Sequence, residues 1–211
     1  MKIAVCDDDQ YELGIKTLLF KNKISVNATA YLINNNNTLQ SYPNLAATDS
    51  RREAGGQTQS KGFELDIATK NVFGFTINAG YSYNDTRYTK STLYVPGSKL
   101  RYNPNHTANT HIYYTVKPTY KLNGLNAGMG IYYVGGRVAG RSTTKANPGY
   151  ALIPLPDYFL LEASVGYAFK NLGVRFKVNN ILNEFSYNVH DDNSVNPITP
   201  RQFAATISYK F

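Results

Sequence analysis

Tryptophan is absent from the 211 residues, methionine occurs twice, and there is one cysteine, Cys6. A lone thiol excludes an internal disulfide and a cysteine-based metal site. No apolar run approaches the roughly eighteen residues of a transmembrane helix. Residues 1–10 lack the apolar segment of an export signal. Charged residues make up only 17%, and the Leu-, Ala-, Glu- and Lys-rich stretches of a soluble helical protein are missing. In their place stand 18 tyrosines, 10 phenylalanines and 16 glycines, with many Asn and Thr. Tyr, Thr, Val and Ile suit a pleated surface, so the composition predicts an all-β chain.

The formal net charge is +8. The basic residues are scattered in ones and twos, and no helix with a basic face can be drawn, so no nucleic-acid partner is expected. Many of them fall where turns are expected: Lys21, Lys23, Lys70, Lys117, Lys121 and Lys170. As a sequence feature these are solvated turn charges.

Alternation with a period of two recurs along most of the chain. Phe73, Phe75, Ile77, Ala79, Tyr81 and Tyr83 alternate with Gly74, Thr76, Asn78, Gly80, Ser82 and Asn84. Phe159, Leu161, Ala163, Val165, Tyr167 and Phe169 alternate in the same way, as do Val174, Phe176 and Val178. Phe203, Ala205, Ile207, Tyr209 and Phe211 form the last such stripe. With weaker copies at 11–20, 22–33, 62–70, 106–117 and 124–136, nine strands of about ten residues are expected, long enough to cross a bilayer at a tilt.

A soluble sandwich also alternates. Three features favour a membrane barrel instead. Connections alternate between short ones near 21–23, 70–73, 117–124 and 170–173 and long ones over 34–60, 85–105, 138–156 and 182–200. Aromatics gather at strand ends, as girdles do. The face opposite the apolar one is rich in Gly, Ser, Asn and charge, including Glu12, Lys16, Glu64 and Asp66, which suits a wet lumen. Nine antiparallel strands do not close on themselves, so a partial barrel of a larger protein is expected.

From residue 11 to 211 the chain resembles the C-terminal end of a TonB-dependent siderophore receptor. The resemblance is carried by YELGIK (11–16), KGFELDI (61–67), NAGYSYNDTRY (78–88), PNHTANTHIYYTV (104–116), GMGIYYVGGR (128–137), LPDYFLLEASVGYAF (155–169), VRFKVNNILNEFSYNV (174–189) and PRQFAATISYKF (200–211). It implies a twenty-two-stranded plugged barrel of which these are the last nine strands. It also implies a place in the bacterial outer membrane and, for the C-terminus, the periplasmic side. The plug and the TonB box fall outside these residues.

What the resemblance implies is transport of a ferric siderophore, not catalysis. The iron is held by the siderophore, so neither a cofactor nor protein metal ligands are expected. Implied partners are the TonB complex acting through the plug, the barrel assembly machinery, and outer-membrane lipid and lipopolysaccharide. Candidate ligand contacts in the long loops are Tyr42, Arg87, Tyr88, Tyr94, Arg101, Tyr102, Arg137 and Arg141. Aromatic rings would stack on the chelator, and guanidinium groups would fork onto anionic oxygens. Phe203, Ile207, Tyr209 and Phe211 resemble a terminal assembly signal, and they read equally as a lipid-facing stripe with an interfacial anchor.

Residues 1–10, MKIAVCDDDQ, resemble the first strand and acidic turn of a response-regulator receiver, where Asp7, Asp8 and Asp9 would face Mg²⁺. The rest of a receiver is missing, so they are expected to be an unrelated leader. An outer-membrane enzyme using His190, Asp191 and Asp192, or His106 and His111, is a competing reading, but no nucleophile motif accompanies these residues. A passive porin and a soluble lectin or adhesin compete with it on the same alternating pattern.

Overall fold

The computed structural model describes residues 7–41, 51–117, 119–189 and 194–211. It contains β1 (Asp7–Leu19), β2 (Ile24–Ser41), β3 (Arg52–Thr69), β4 (Phe75–Lys90), β5 (His106–Thr115), β6 (Leu125–Gly135), β7 (Arg137–Gly140), β8 (Leu152–Leu155), β9 (Tyr158–Phe169), β10 (Leu172–Asn179), β11 (Tyr187–Val189), β12 (Val195–Pro197) and β13 (Gln202–Tyr209). One antiparallel sheet holds nine of them in the order β1-β2-β3-β4-β5-β6-β9-β10-β13. Two small hairpins, β7–β8 and β11–β12, stand apart from it.

The pairing register carries one apolar stripe across the whole sheet. Leu13 lies opposite Ala30, Ala30 opposite Phe63, and Phe63 opposite Tyr83. Further along, Ile112 faces Met129, Met129 faces Ala163, and Ala163 faces Val178, which faces Phe203. A shift of one residue anywhere would turn a strand inside out, so the alternation sets the register. The other face carries Glu12, Tyr31, Glu64, Asn84, Asn109, Tyr132, Glu162 and Lys177.

The apolar face is left uncovered. Leu13, Phe63, Val174, Phe176, Phe203 and Ile207 are all exposed, and the only buried hydrophobic residues among those described are Ala139 and Tyr158, both outside the middle of the sheet. A sandwich would cover this face with a second sheet, and none of the contacts between described strands outside the sheet and those in it forms such a layer. An uncovered apolar face this broad is stable only in lipid, where it needs no protein partner. Aromatic contacts collect at its two margins. Phe63 lies 5.5 Å from Tyr81, and Tyr133 lies 5.5 Å from Phe159, toward one margin. Phe75 sits 4.7 Å from Tyr114, and Tyr209 sits 5.3 Å from Phe211, at the other. From Phe75 to Tyr83 is about 26 Å of strand at roughly 3.3 Å per residue, close to the span of an apolar band.

One expectation is corrected. The sequence places long loops over 34–60 and 85–105. Instead β2 and β3 continue to Ser41 and from Arg52, and β4 continues to Lys90. The NNNN run looks like loop because it has no apolar alternation. Beyond the lipid band polar side chains hold the ladder instead: Gln59 Nε2 donates to Asn34 Oδ1 at 3.0 Å, Gln57 Nε2 donates to Asn36 Oδ1 at 3.0 Å, and Asn36 Nδ2 donates to Asp9 Oδ2 at 3.0 Å. Asp7–Gln10 pair with Asn36–Ile33, and β1 runs unbroken through residues 10 and 11. The three aspartates therefore alternate between the two faces of a strand. Residues 1–6 lie outside the described residues.

Candidate functional site

At one end of the sheet the connections are short, and at the other they are long. The long-loop end holds 91–105, the β7–β8 region, 180–189 and 194–201, and these interlock. Lys145 N donates to Leu93 O at 2.9 Å, Lys145 Nζ to Ser91 O at 2.7 Å, and Tyr102 N to Val138 O at 3.2 Å. Buried Ser91 donates to Gln40 Oε1 at 2.6 Å, which ties the loop to the top of β2. Loops joined in this way lose less entropy on meeting a ligand than free ones.

Between the first two loops lies a cleft of about 300 Å³ lined by Tyr94, Arg101, Arg141, Ser142, Thr144 and Tyr150. Three of these were expected from the sequence. Tyr88 supports the cleft from β4, its ring stacked on Tyr94 at 4.2 Å. Arg101 Nη1 donates to Gly140 O at 3.0 Å, and its guanidinium lies 4.8 Å from the centre of the Tyr102 ring. The Arg141 guanidinium sits 5.4 Å from the Tyr150 ring centre and donates to its hydroxyl at 3.3 Å. Both cations are thereby aimed by aromatic neighbours. Ser142 is 3% exposed, and its hydroxyl oxygen meets no hydrogen-bond partner among the described residues. A buried, unpartnered hydroxyl beside two guanidinium groups suits the oxygen of an anionic ligand.

The remaining expected contacts are placed differently. Arg87 lies on the outward face of β4, where its Nε bonds Asp85 Oδ2 at 2.8 Å and Nη1 donates to Gly97 O at 2.9 Å. Arg137 is buried, with Nη1 donating to Pro156 O at 3.0 Å and Ser186 Oγ at 3.1 Å, and Nη2 to Tyr187 O. Its guanidinium covers Tyr158 at 4.7 Å. That arrangement is a clamp between loops. Tyr42, His190, Asp191 and Asp192 lie outside the described residues.

His106 and His111 stand on opposite faces of β5. His106 Nδ1 shares a 2.7 Å hydrogen bond with Tyr81 Oη on the outer face. His111 Nδ1 lies 3.6 Å from Glu162 Oε1 on the inner face, and Lys177 Nζ meets Glu162 Oε2 at 2.9 Å. Among the described residues no three His, Cys, Asp or Glu side chains converge on one point. Phe203, Ile207, Tyr209 and Phe211 are exposed along β13 and just after it. Asp157, in the link before β9, accepts from the Tyr133 hydroxyl at 2.6 Å and the Gly136 amide at 2.9 Å. The Tyr133 bond, helped by that amide, holds its carboxyl below the usual carboxylate range.

Sequence reasoning missed Ser142, Thr144 and Tyr150, which are ordinary polar loop residues until the two loops meet. It also missed the Glu162–Lys177 pair, whose members sit on neighbouring strands in the alternation but are joined only by register.

Comparison with known proteins gives one consistent result. Residues 9–181 match the family model described as TonB dependent receptor-like, beta-barrel. Among curated proteins, the ferrioxamine B receptor of Salmonella typhimurium is 31% identical over 180 residues, covering 83% of this chain and 24% of its own length. The metal-pseudopaline receptor of Pseudomonas aeruginosa is 25% identical over 203 residues, covering 95% of this chain and 27% of its own. The crystal structure of the ferripyoverdine receptor of the P. aeruginosa outer membrane superposes with a TM-score of 0.80 at 20% identity, covering 97% of this chain and 27% of that one. At that identity the likeness speaks for the fold. The chain spans about a quarter of the length of the relatives it matches.

Proposed function

The chain belongs to the TonB-dependent receptor-like β-barrel family, and from that membership we propose that it is the C-terminal barrel portion of an outer-membrane receptor that takes up ferric siderophores. In this reading residues 11–211 supply nine strands and the long loops that meet the ligand. A plug elsewhere in the receptor couples to TonB, and the iron enters already held by its chelator. The protein binds and transports, with no catalytic step and no cofactor of its own.

The observation that carries the reading is the cleft of Tyr94, Arg101, Arg141, Ser142 and Tyr150 at the long-loop end. A ferric chelate is a rigid complex with oxygen-rich edges. Guanidinium groups fork onto those oxygens, the buried hydroxyl adds a donor, and the Tyr88–Tyr94 stack offers a flat face. Arg87 and Arg137 are assigned supporting roles, because their donors are turned to Asp85 and to neighbouring loops.

The test uses the complete receptor that contains these strands. Arg101→Ala combined with Arg141→Ala is expected to weaken ferric-siderophore binding at least about tenfold, the scale of one or two charge-assisted hydrogen bonds. Surface level and heat-modifiability should stay normal. Unchanged affinity across hydroxamate and catecholate chelates in a correctly inserted double variant would remove the cleft from the binding site.

A further inference from the structure

The short-turn rim carries a charge pattern that ligand binding at the other end does not use. Residues 20–23, 70–74, 116–124 and 170–171 hold Lys21, Lys23, Lys70, Lys117, Lys121 and Lys170, and no aspartate or glutamate. All six lysines are exposed. The fold sets them in a row. Lys70 N donates to Lys23 O at 2.8 Å, Thr115 N to Gly74 O at 2.9 Å, and Ala168 N to Gly124 O at 2.9 Å, so each turn is tied to the next strand or turn at the same level. The long-loop rim is mixed in sign, with Glu53, Asp85, Asp157 and Glu184 among its arginines and lysines.

Aromatic rings are interleaved with the ammonium groups. Phe20, Phe73 and Tyr120 stand 74%, 80% and 59% exposed. Lys117 Nζ lies 5.7 Å from the centre of the Phe73 ring, and Lys170 Nζ lies 5.4 Å from that of Phe169. In bulk water such rings would gain little from this exposure. At a bilayer interface the ring enters the acyl boundary while the ammonium group beside it reaches the headgroup layer. All six cations are Lys and none is Arg. Flexible point charges suit a fluid layer of phosphates better than the fixed fork that grips one anion.

We propose that this rim binds the anionic phospholipid headgroups of the leaflet it meets, with phosphates shared between lysines of adjoining turns. The inference rests on the reading of the chain as a membrane barrel whose short turns face the periplasm, and is independent of its ligand. It selects lipids by charge: phosphatidylglycerol and cardiolipin over phosphatidylethanolamine.

The experiment takes the complete receptor in detergent, with Lys70, Lys117, Lys121 and Lys170 changed together to Gln in one variant and to Arg in a second. Native mass spectrometry measures retained cardiolipin, phosphatidylglycerol and phosphatidylethanolamine. The unaltered receptor is expected to retain cardiolipin over phosphatidylethanolamine by about fivefold or more, as several Lys–phosphate attractions acting together imply. The Gln variant should lose that preference, the Arg variant should keep it, and ferric-siderophore affinity should be the same in all three. A preference that survives in the Gln variant, or is lost in the Arg variant, overturns the proposal. A receptor that enters vesicles of no composition would instead overturn the barrel reading beneath it.

Discussion

Arg137 shows how a single side chain can hold the long-loop end together. Its donors reach Pro156 O, Ser186 Oγ and Tyr187 O, and its plane rests on Tyr158. Replacing it by Ala strands those acceptors in a buried place, and a loss of about 3 kcal/mol is expected. The loss should be local, with faster proteolysis of the 180–201 loop in the complete receptor and a barrel melting transition little changed. A Lys at 137 restores the charge without the fork and should rescue only part of the protection. Asp157 acts on the same rim through its charge. Its folded pKa is depressed by the Tyr133 hydroxyl and the Gly136 amide, so its contribution is present above the unfolded value of about 3.9. That contribution fades as the pH falls through the lower folded value. Amide exchange at Gly136 should therefore accelerate only below about pH 4, and in Asp157→Asn it should lose that pH dependence.

At the scale of the element, β13 is the clearest case of two readings on one strand. Phe203, Ile207, Tyr209 and Phe211 form an exposed stripe, and Tyr209 meets Phe211 edge to face. As a lipid anchor, Phe211 contributes about 1–3 kcal/mol of burial, which a large barrel tolerates. As an assembly signal it acts before the barrel exists. Phe211→Ala in the complete receptor is expected to cut surface levels severely in cells while refolding into detergent stays nearly normal. Wild-type surface levels would leave Phe211 as an anchor alone. The long strands make a second point at this scale. β2 and β3 outrun the lipid band because Asn34, Asn36, Gln57 and Gln59 replace apolar contacts with side-chain amide bonds, and β4 follows them through Ser60 bonded to Asn84 and Thr86. Alternation of apolar residues marks where lipid is, and stops being informative where water begins.

On the scale of the whole molecule, β1 and β13 are sheet edges with no partner strand among the described residues. Each presents unpaired main-chain groups, and in lipid these have no water to bind. Residues 1–211 produced alone are therefore expected to aggregate or assemble as multimers in detergent. A heat-modifiable monomer on a gel, able to support iron uptake by itself, would defeat this expectation. The exposed apolar face and the open edges express the same fact: the sheet is built to be completed laterally by more strands and outwardly by lipid.

The period-two stripes of Phe75 to Tyr83, Phe159 to Phe169 and Phe203 to Tyr209 determined the strands, their register and the lipid-facing side, whereas Phe73, expected in the first stripe, stands in the turn before β4 with φ 55°. They do so because each residue's face depends only on its parity along the strand. The alternation of short and long connections likewise placed the two rims, and Tyr94, Arg101 and Arg141 were legible as loop residues with suitable chemistry, while Tyr88, expected in a loop, stands on β4. Their grouping was not. Ser142 and Tyr150 join them across the gap between two loops, Arg87 and Arg137 are drawn into other bonds, and Glu162 meets Lys177 only through strand pairing. The row of turn lysines is also a tertiary product, since four hairpins far apart in sequence must first be set side by side. Loop contacts depend on which segments meet in space, and no short-range pattern in the chain encodes that meeting.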